Sequence, residues 1–289
     1  MIVVNLFGGL GNQMFQYAFG QSLQNKINTE VKYKTCFDGL VNRKFELNHF
    51  NISGELIGDD EFELFQRSKK GFFKEVKNKL TAYYKKEIVR ENHFHFDPNL
   101  FCVPSHCLVE GYFQSEKYFV DIAEDIRKEF SFKTPLEGEN KILSQAITEH
   151  ESIGVHVRRG DYLLNPLFRV HGLEYYQKAI EQILNVVEKP VFYVFSNDYE
   201  WCEKNIRIDY PLHFVTLNSE QQPYFDLYLM SLCKHNIIAN SSFSWWAAWL
   251  NRNPGKKIIA PSPWVNRSTA FYGNIDDIVP NQWSRIYLS

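Results

Sequence analysis

No two cysteines of this chain stand in C-x-x-C spacing, and the five that occur, Cys36, Cys102, Cys107, Cys202 and Cys233, are odd in number and scattered. Neither a disulfide framework nor a zinc cluster is suggested, and reduced thiols in a cytosolic protein are the plain expectation. Charge of one sign is not in excess either: 32 Lys and Arg against 34 Asp and Glu leave a net charge of −2. No overall field gathers nucleic acid or an acidic membrane surface, so any anion must be met locally. Long apolar runs are also missing. The first, Ile2 to Leu6, has no basic region before it and runs into glycines and amides, which fits neither a signal peptide nor a membrane span. Peripheral contact with an inner membrane stays compatible with this. The sequons at Asn51, Asn240 and Asn266 would matter only in a secretory compartment, for which nothing else argues.

What is present is a 289-residue chain, 44% hydrophobic and 16% aromatic, long enough for two ordinary domains and too apolar for disorder. It opens strand, glycine loop, helix: "IVVNLF" is followed by "GGLGNQ", then by Met14, Phe15, Ala18, Phe19 and Leu23 at helical spacing. Residues 59–84 read as a Lys-rich helix and residues 115–130 as an amphipathic one. "FKTPLEGE", residues 132–139, has the texture of a linker. Beyond it strands and helices alternate: "IGVHVR", a helix over 174–188, "VFYVFS", a short helix around Trp201, "HFVTL", a helix to His235, "NIIAN", a helix through "SWWAAWL", and "KIIAP". Such alternation predicts an α/β protein of two Rossmann-like halves meeting near residues 135–150, with chemistry at the strand exits.

Four stretches could carry that chemistry. In "HVRRGDY" two arginines leave a buried strand; they are a salt-bridged edge or an anion site, whose guanidinium forks would match a diphosphate. In "SNDYEW" Asn197 or Asp198 either caps the next helix or meets a ligand. Asp226 lies in an otherwise apolar helix, which Ser219 and Gln222 could open as a capping box; its carboxylate either faces solvent or accepts two hydrogen bonds from a guanine edge. Asn240, Ser241 and Ser242 stand between a strand and a helix start, where hydroxyls and backbone N–H groups hold phosphate or simply cap the helix. Trp245, Trp246 and Trp249 fall on helical spacing and read first as core, second as a sugar platform. The loop "GGLGNQ" lacks both the full dinucleotide fingerprint and the P-loop lysine, yet bare amides there suit an anion.

Together "GGLGNQMFQYAFG", "GYFQSEKYF", "HVRRGDY", "VFSNDYEWC" and "CKHNIIANSSFSWWAAWLN" resemble the bacterial α-1,2-fucosyltransferases of glycosyltransferase family 11, in order and over nearly the whole chain. The resemblance implies a GT-B-like fold, two Rossmann-like domains facing a central cleft: residues 1–145 on the acceptor side and residues 146–289 binding GDP-fucose. It further implies no cofactor and no required metal, inversion at fucose, and a galactose-terminated acceptor, in keeping with cytoplasmic O-antigen synthesis. Carried over residue by residue, Arg158 is the β-phosphate clamp with His156 and Arg159 nearby, and Asp226 reads guanine ahead of Asn240, Ser241, Ser242 and Phe243. Leu10, Gly11 and Asn12 lie against the donor diphosphate. The α-1,6 relatives carry a glutamate downstream of the motif; here Glu174 is the first, leaving Asp161, then His156, as base, or no dedicated base at all.

Three rivals stand beside it. A Rossmann-type dehydrogenase leaves "HVRRGDY" and "NSSFSWW" without a purpose, and a non-catalytic carbohydrate-binding protein needs no paired arginines at a strand exit. A metal-dependent transferase would need a D-x-D pair; Asp59-Asp60 and Asp276-Asp277 are the nearest and read as surface positions. A fucosyltransferase of another linkage also remains an alternative.

Overall fold

The structure, a computed structural model, describes residues 1–35, 44–67, 85–168, 171–219, 222–266 and 274–288. The chain divides into two compact units, Met1–Lys133 with Tyr272–Ile278, and Thr134–Phe271 with Val279–Ser289. The division falls inside the expected linker but ahead of the 145/146 boundary, because the helix Gly138–Glu149 packs within the second unit, on the helix Pro223–Leu232. The late segment joins the first unit through Asp277, whose carboxylate accepts the Phe96 N–H at 3.0 Å and pairs with Lys117.

In the first unit β1 (Ile2–Leu6), β2 (Val31–Thr35), β3 (Glu55–Leu56), β4 (Ile88–Arg90) and β5 (Leu108–Glu110) form a parallel sheet in the order β3-β2-β1-β5-β4. Every residue of β1 is buried, as a strand covered on both faces must be. Helix α1 (Leu10–Ile27) follows it directly, and α2 (Asp59–Arg67) and α3 (Ala123–Glu129) come later. The remainder of the Lys-rich helix expected over 59–84 lies outside the described residues. The single helix expected over 115–130 is broken into the 3-10 turns Glu116–Tyr118 and Val120–Ile122 before α3. The cause is local packing: Tyr118 and Phe119 are consecutive yet both fully buried, against Phe113 and Phe15 respectively. One regular helix does not turn adjacent side chains to the same side.

The second unit holds α4 (Gly138–Glu149), β6 (Ser152–Val157), α5 (Asp161–Leu164), α6 (Leu173–Leu184), β7 (Val191–Ser196), α7 (Tyr199–Asn205), β8 (Leu212–Phe214), α8 (Pro223–Leu232), β9 (His235–Ile237), α9 (Ser242–Leu250), β10 (Ile258–Ser262) and β11 (Ser284–Tyr287). Its sheet runs β11-β10-β9-β6-β7-β8 with every pair parallel. Ile153, Val155 and Val157 of β6 pack with Phe192 and Val194 of β7 and with Tyr175 and Ile183 of α6. The expected capping box does not form: Ser219 offers its carbonyl to the Gln222 N–H, Gln222 is the N-cap without a side-chain bond, and Pro223 opens α8, its missing N–H costing nothing there.

Trp245 and Trp246 are fully buried and Trp249 nearly so, meeting edge to face and stacking with one another, while Trp283 packs tilted against Trp245. They are core, not a sugar platform. Trp245→Ala is expected to cost about 3–5 kcal/mol of stability in urea unfolding, the range for deleting a buried aromatic, and Trp245→Phe clearly less.

Candidate active site

A parallel strand whose neighbours are reached by crossovers in opposite directions leaves a crevice beyond its carboxyl end, where the two connections diverge. In the second unit that point lies between β6 and β9, since β7 and β8 extend the sheet one way from β6 and β9, β10 and β11 the other. The exit of β6 brings His156, Arg158, Arg159 and Asp161; the exit of β9 brings Asn240, Ser241, Ser242 and Phe243. The structure therefore assembles the expected residues of these two stretches at one switch point, with the His156 and Phe243 rings 5.6 Å apart.

The two arginines divide their work. Arg159 is locked: its N–H donates to Asn197 Oδ1 at 2.9 Å, its Nε to Asp198 Oδ2 at 3.0 Å, and its guanidinium lies 4.0 Å from the Trp201 ring centroid. Asp198 also caps α7 by accepting the Trp201 N–H, so the capping reading of "SNDYEW" holds and the same carboxylate ties β6 to β7. Arg158 turns the other way, donating Nη2 to Asp161 at 2.9 Å and lying over Tyr162. Its Nε is buried with no hydrogen-bond partner among the described residues, and so is Nδ1 of His156. A buried polar atom left unpaired costs about 1–3 kcal/mol, which an oxyanion in this crevice would offset. Burial, and next the charge of Arg158, push His156 down to about 3, so the imidazole is neutral here and a weak proton acceptor.

The turn between them admits one residue type. Gly160 has φ +46°, and a Cβ on it would stand 2.6 Å from the Asn197 amide. At the β9 exit, Ser241 is the N-cap of α9 without a side-chain bond, and Ser242 and Phe243 occupy the first turn. The side-chain amide of Asn240 serves the scaffold, donating to the carbonyls of Phe168 at 3.1 Å and Trp264 at 3.0 Å.

Asp226 stands in the first turn of α8, half-buried, and accepts from Asn218 Nδ2 at 2.7 Å. Asn218 is itself held by paired amide bonds with Asn140 of α4, at 2.8 and 3.1 Å. Burial pushes the Asp226 carboxyl up to about 6, with Asn218 pulling the other way. Sequence reasoning missed Asn140 and Asn218, whose partners lie 78 and 8 residues away and leave no periodic trace, and it named Asn197 only as a possible cap or ligand, not as the acceptor of the Arg159 N–H. Leu10, Gly11 and Asn12 belong to the first unit, where Leu10 and Gly11 are buried in the start of α1 and Asn12 Oδ1 accepts from Gln114 at 2.9 Å.

Two parallel α/β sheets, the second with an anion-ready switch point, define the framework of a GT-B-like glycosyltransferase. The glycosyl transferase family 11 model matches residues 1–286, and the chain belongs to that family. An Escherichia coli protein named alpha-1,2-colitosyltransferase is 32% identical over 99% of both chains. The Escherichia coli O-antigen biosynthesis glycosyltransferase WbnK is 34% identical over 90% of this chain and 93% of its own. Among solved structures, a mutant of Arabidopsis thaliana FUT1 in complex with GDP matches 90% of this chain and 70% of its own at TM-score 0.54 and 14% identity. NodZ α-1,6-fucosyltransferase soaked with GDP-fucose matches 88% and 96% at TM-score 0.50 and 16% identity; both are likenesses of fold.

Asp198→Ala removes a cap and an ion partner together and is expected to cost about 1–2 kcal/mol in urea unfolding. Asp198→Asn, which keeps the capping oxygen, is expected to lose about half of that.

Proposed function

We propose that the protein moves L-fucose from GDP-fucose to O2 of a terminal galactose, inverting the fucose anomeric centre, in a surface polysaccharide such as an O-antigen. The observation that carries this reading is the pair of unpartnered ring and guanidinium nitrogens, Arg158 Nε and His156 Nδ1, buried at the switch point beside the start of α9. In the reaction the galactose hydroxyl oxygen bonds to the fucose C1 as the C1–O bond to the β-phosphate breaks. The bonding pair leaves with GDP, and the hydroxyl proton passes to a base or to solvent. Charge growing on the β-phosphate oxygen is met by Arg158 and by the backbone N–H groups at the start of α9, donors aimed at charge that develops in the transition state. Arg158 must first leave Asp161, which is about half exposed; a partly exposed pair is worth about 0–1 kcal/mol, so a diphosphate displaces it easily. Asp161, once released, is the base in this reading, and His156 stays behind it because its buried imidazole is a weak proton acceptor. In this reading the Asp226 carboxylate, backed by Asn218, accepts two hydrogen bonds from a guanine edge.

Among the described residues no cluster of three or more His, Cys, Asp or Glu is arranged to hold a metal, and no helix is long and apolar enough to cross a membrane. Metal independence, cytoplasmic location and a galactose-terminated acceptor belong to this proposal. The unbridged thiols Cys102, Cys202 and Cys233 agree with a reducing compartment. A second reading, transfer of colitose in place of fucose, is favoured by the relative of that name that is 32% identical over 99% of both chains. Turnover of fucosyl and colitosyl donors side by side, with the product linkage read by NMR, separates the two.

GDP, and neither UDP nor ADP, is expected to raise the melting temperature in the presence of EDTA; a strict Mn²⁺ requirement for transfer would overturn the metal-free reading. Arg158→Ala is expected to lower kcat by about 10²–10³ while keeping the wild-type melting temperature, and full activity in it would remove the clamp. The pH dependence has a definite sign. The guanine-reading form is the carboxylate, so GDP affinity measured calorimetrically should be flat above about pH 7 and fall about tenfold per unit well below the Asp226 value of about 6. Asp226→Asn should abolish that fall together with the preference for GDP; an unchanged pH profile in the variant would end the assignment.

A further inference from the structure

The first unit has a switch point of its own. From β1 the sheet grows through β2 and β3 on one side and through β5 and β4 on the other, so the crevice lies where β1 and β5 end. Past β1 come Phe7 and the glycine loop; past β5 come Gly111, Tyr112, Phe113 and Gln114. The two exits are sewn together. Phe7 and Tyr112 meet edge to face with ring centroids 5.1 Å apart, and Asn12 accepts from Gln114. Gln16 accepts the Phe7 N–H at 2.9 Å and donates to the Gly111 carbonyl at 3.2 Å.

The conformation after β5 is strained and firmly held. Phe113 adopts φ +51°, a region that is unfavourable for a non-glycine residue and persists where the surroundings over-determine it. Those surroundings are the Glu91 carboxylate, which accepts the N–H of Tyr112 at 2.6 Å and that of Phe113 at 3.0 and 3.1 Å. Gly111 leaves room for this: a Cβ on it would stand 2.5 Å from Glu91 Cβ and 2.7 Å from the Phe113 ring. Burial pushes the Glu91 carboxyl up to about 7, the two backbone N–H groups pulling it down, so the brace is held at a desolvation cost. The outcome is a split between neighbours: Phe113 is wholly buried and Tyr112 is 37% exposed at the mouth of the crevice.

Phe7 and Phe94 flank Tyr112 with ring centroids 5.1 and 5.7 Å away, and the part of its ring left in solvent has the chemistry that meets a pyranose, whose C–H face is apolar and whose rim is hydroxyl. We propose that Tyr112 is a stacking platform for a pyranose of the acceptor glycan and that Glu91 is the positioning residue that holds it there. This rests on the glycosyltransferase reading above. It assigns the ring to the acceptor because the donor diphosphate has its own switch point in the second unit.

Tyr112→Ala should raise the KM for acceptor about fivefold to tenfold, while Tyr112→Phe stays within about twofold. The KM for GDP-fucose and the stabilisation by GDP should not change in either. Tyr112→Leu, which keeps an apolar side chain and loses the ring, takes the place of alanine if that variant folds poorly. Glu91→Gln should raise acceptor KM with kcat nearly kept; a loss of kcat alone would mark Glu91 as merely structural. Saturation-transfer NMR with methyl β-galactopyranoside should give signal with wild type and lose it in Tyr112→Ala. Unchanged acceptor KM in a GDP-stabilised Tyr112→Ala, a rise in donor KM instead, or no saturation transfer to wild type would each overturn the proposal. Failure of GDP to stabilise wild type would sink the donor reading instead, and the galactoside spectrum would still report on Tyr112.

Discussion

A strand paired in parallel on both sides cannot be joined to its neighbours by hairpins; each connection must cross a face of the sheet, and right-handed crossovers send the chain to opposite faces when the sheet grows in opposite directions. The point of divergence is uncovered by construction. In each unit the first strand, β1 or β6, lies at that point, so whatever follows it in sequence becomes the wall of a crevice. "GGLGNQ" and "HVRRGDY" occupy the same topological position in their two sheets. This constraint, more than any single contact, determines which residues of the chain are available for chemistry.

Charge placement follows from it. Two adjacent arginines on an extended strand end point apart, and each needs a counter-charge or a ligand. Arg159 finds Asp198 and an aromatic face on the neighbouring exit, and becomes part of the frame. Among the described residues Arg158 pairs with Asp161, three residues on and partly screened by water, lies over Tyr162, and keeps its Nε unpaired. The asymmetry is functional in kind. A fully satisfied guanidinium has no hydrogen-bond capacity left to offer a ligand, and an unsatisfied frame would let its neighbour drift.

The long buried strands were legible because a strand covered on both faces is a continuous apolar run, and Ile2–Leu6, Ser152–Val157 and Val191–Ser196 read that way. β3, β4 and β5 are two or three residues long and have no period to detect, and the exposed Glu55–Leu56 gives no hydrophobic signal either. The strand exits could be placed, hence Arg158 and the β9 turn. What could not be read was which polar side chain is committed to the scaffold. The side-chain amide of Asn240 is committed to the carbonyls of Phe168 and Trp264, 72 and 24 residues away, which no local pattern announces. Glu91 gave no hint at all, because its partners are backbone N–H groups that every sequence has.

The same distinction explains the first glycine loop. Gly8 at φ +75° has a conformational reason to be glycine, and a Cβ there would also stand 2.7 Å from the Asn12 amide. A loop so poor in side chains should be loose, since glycine gives up the most backbone freedom on folding. Two glutamines from α1 answer that. Gln13, wholly buried, donates to the carbonyls of Gly8 and Lys44 and accepts the Glu46 N–H; Gln16, also buried, bridges Phe7 and Gly111. Buried amides satisfied on both ends fix one geometry, because any other would strand a polar group away from water. The loop is therefore bare on its outside and latticed on its inside, and the cost of ordering it is met within the fold itself.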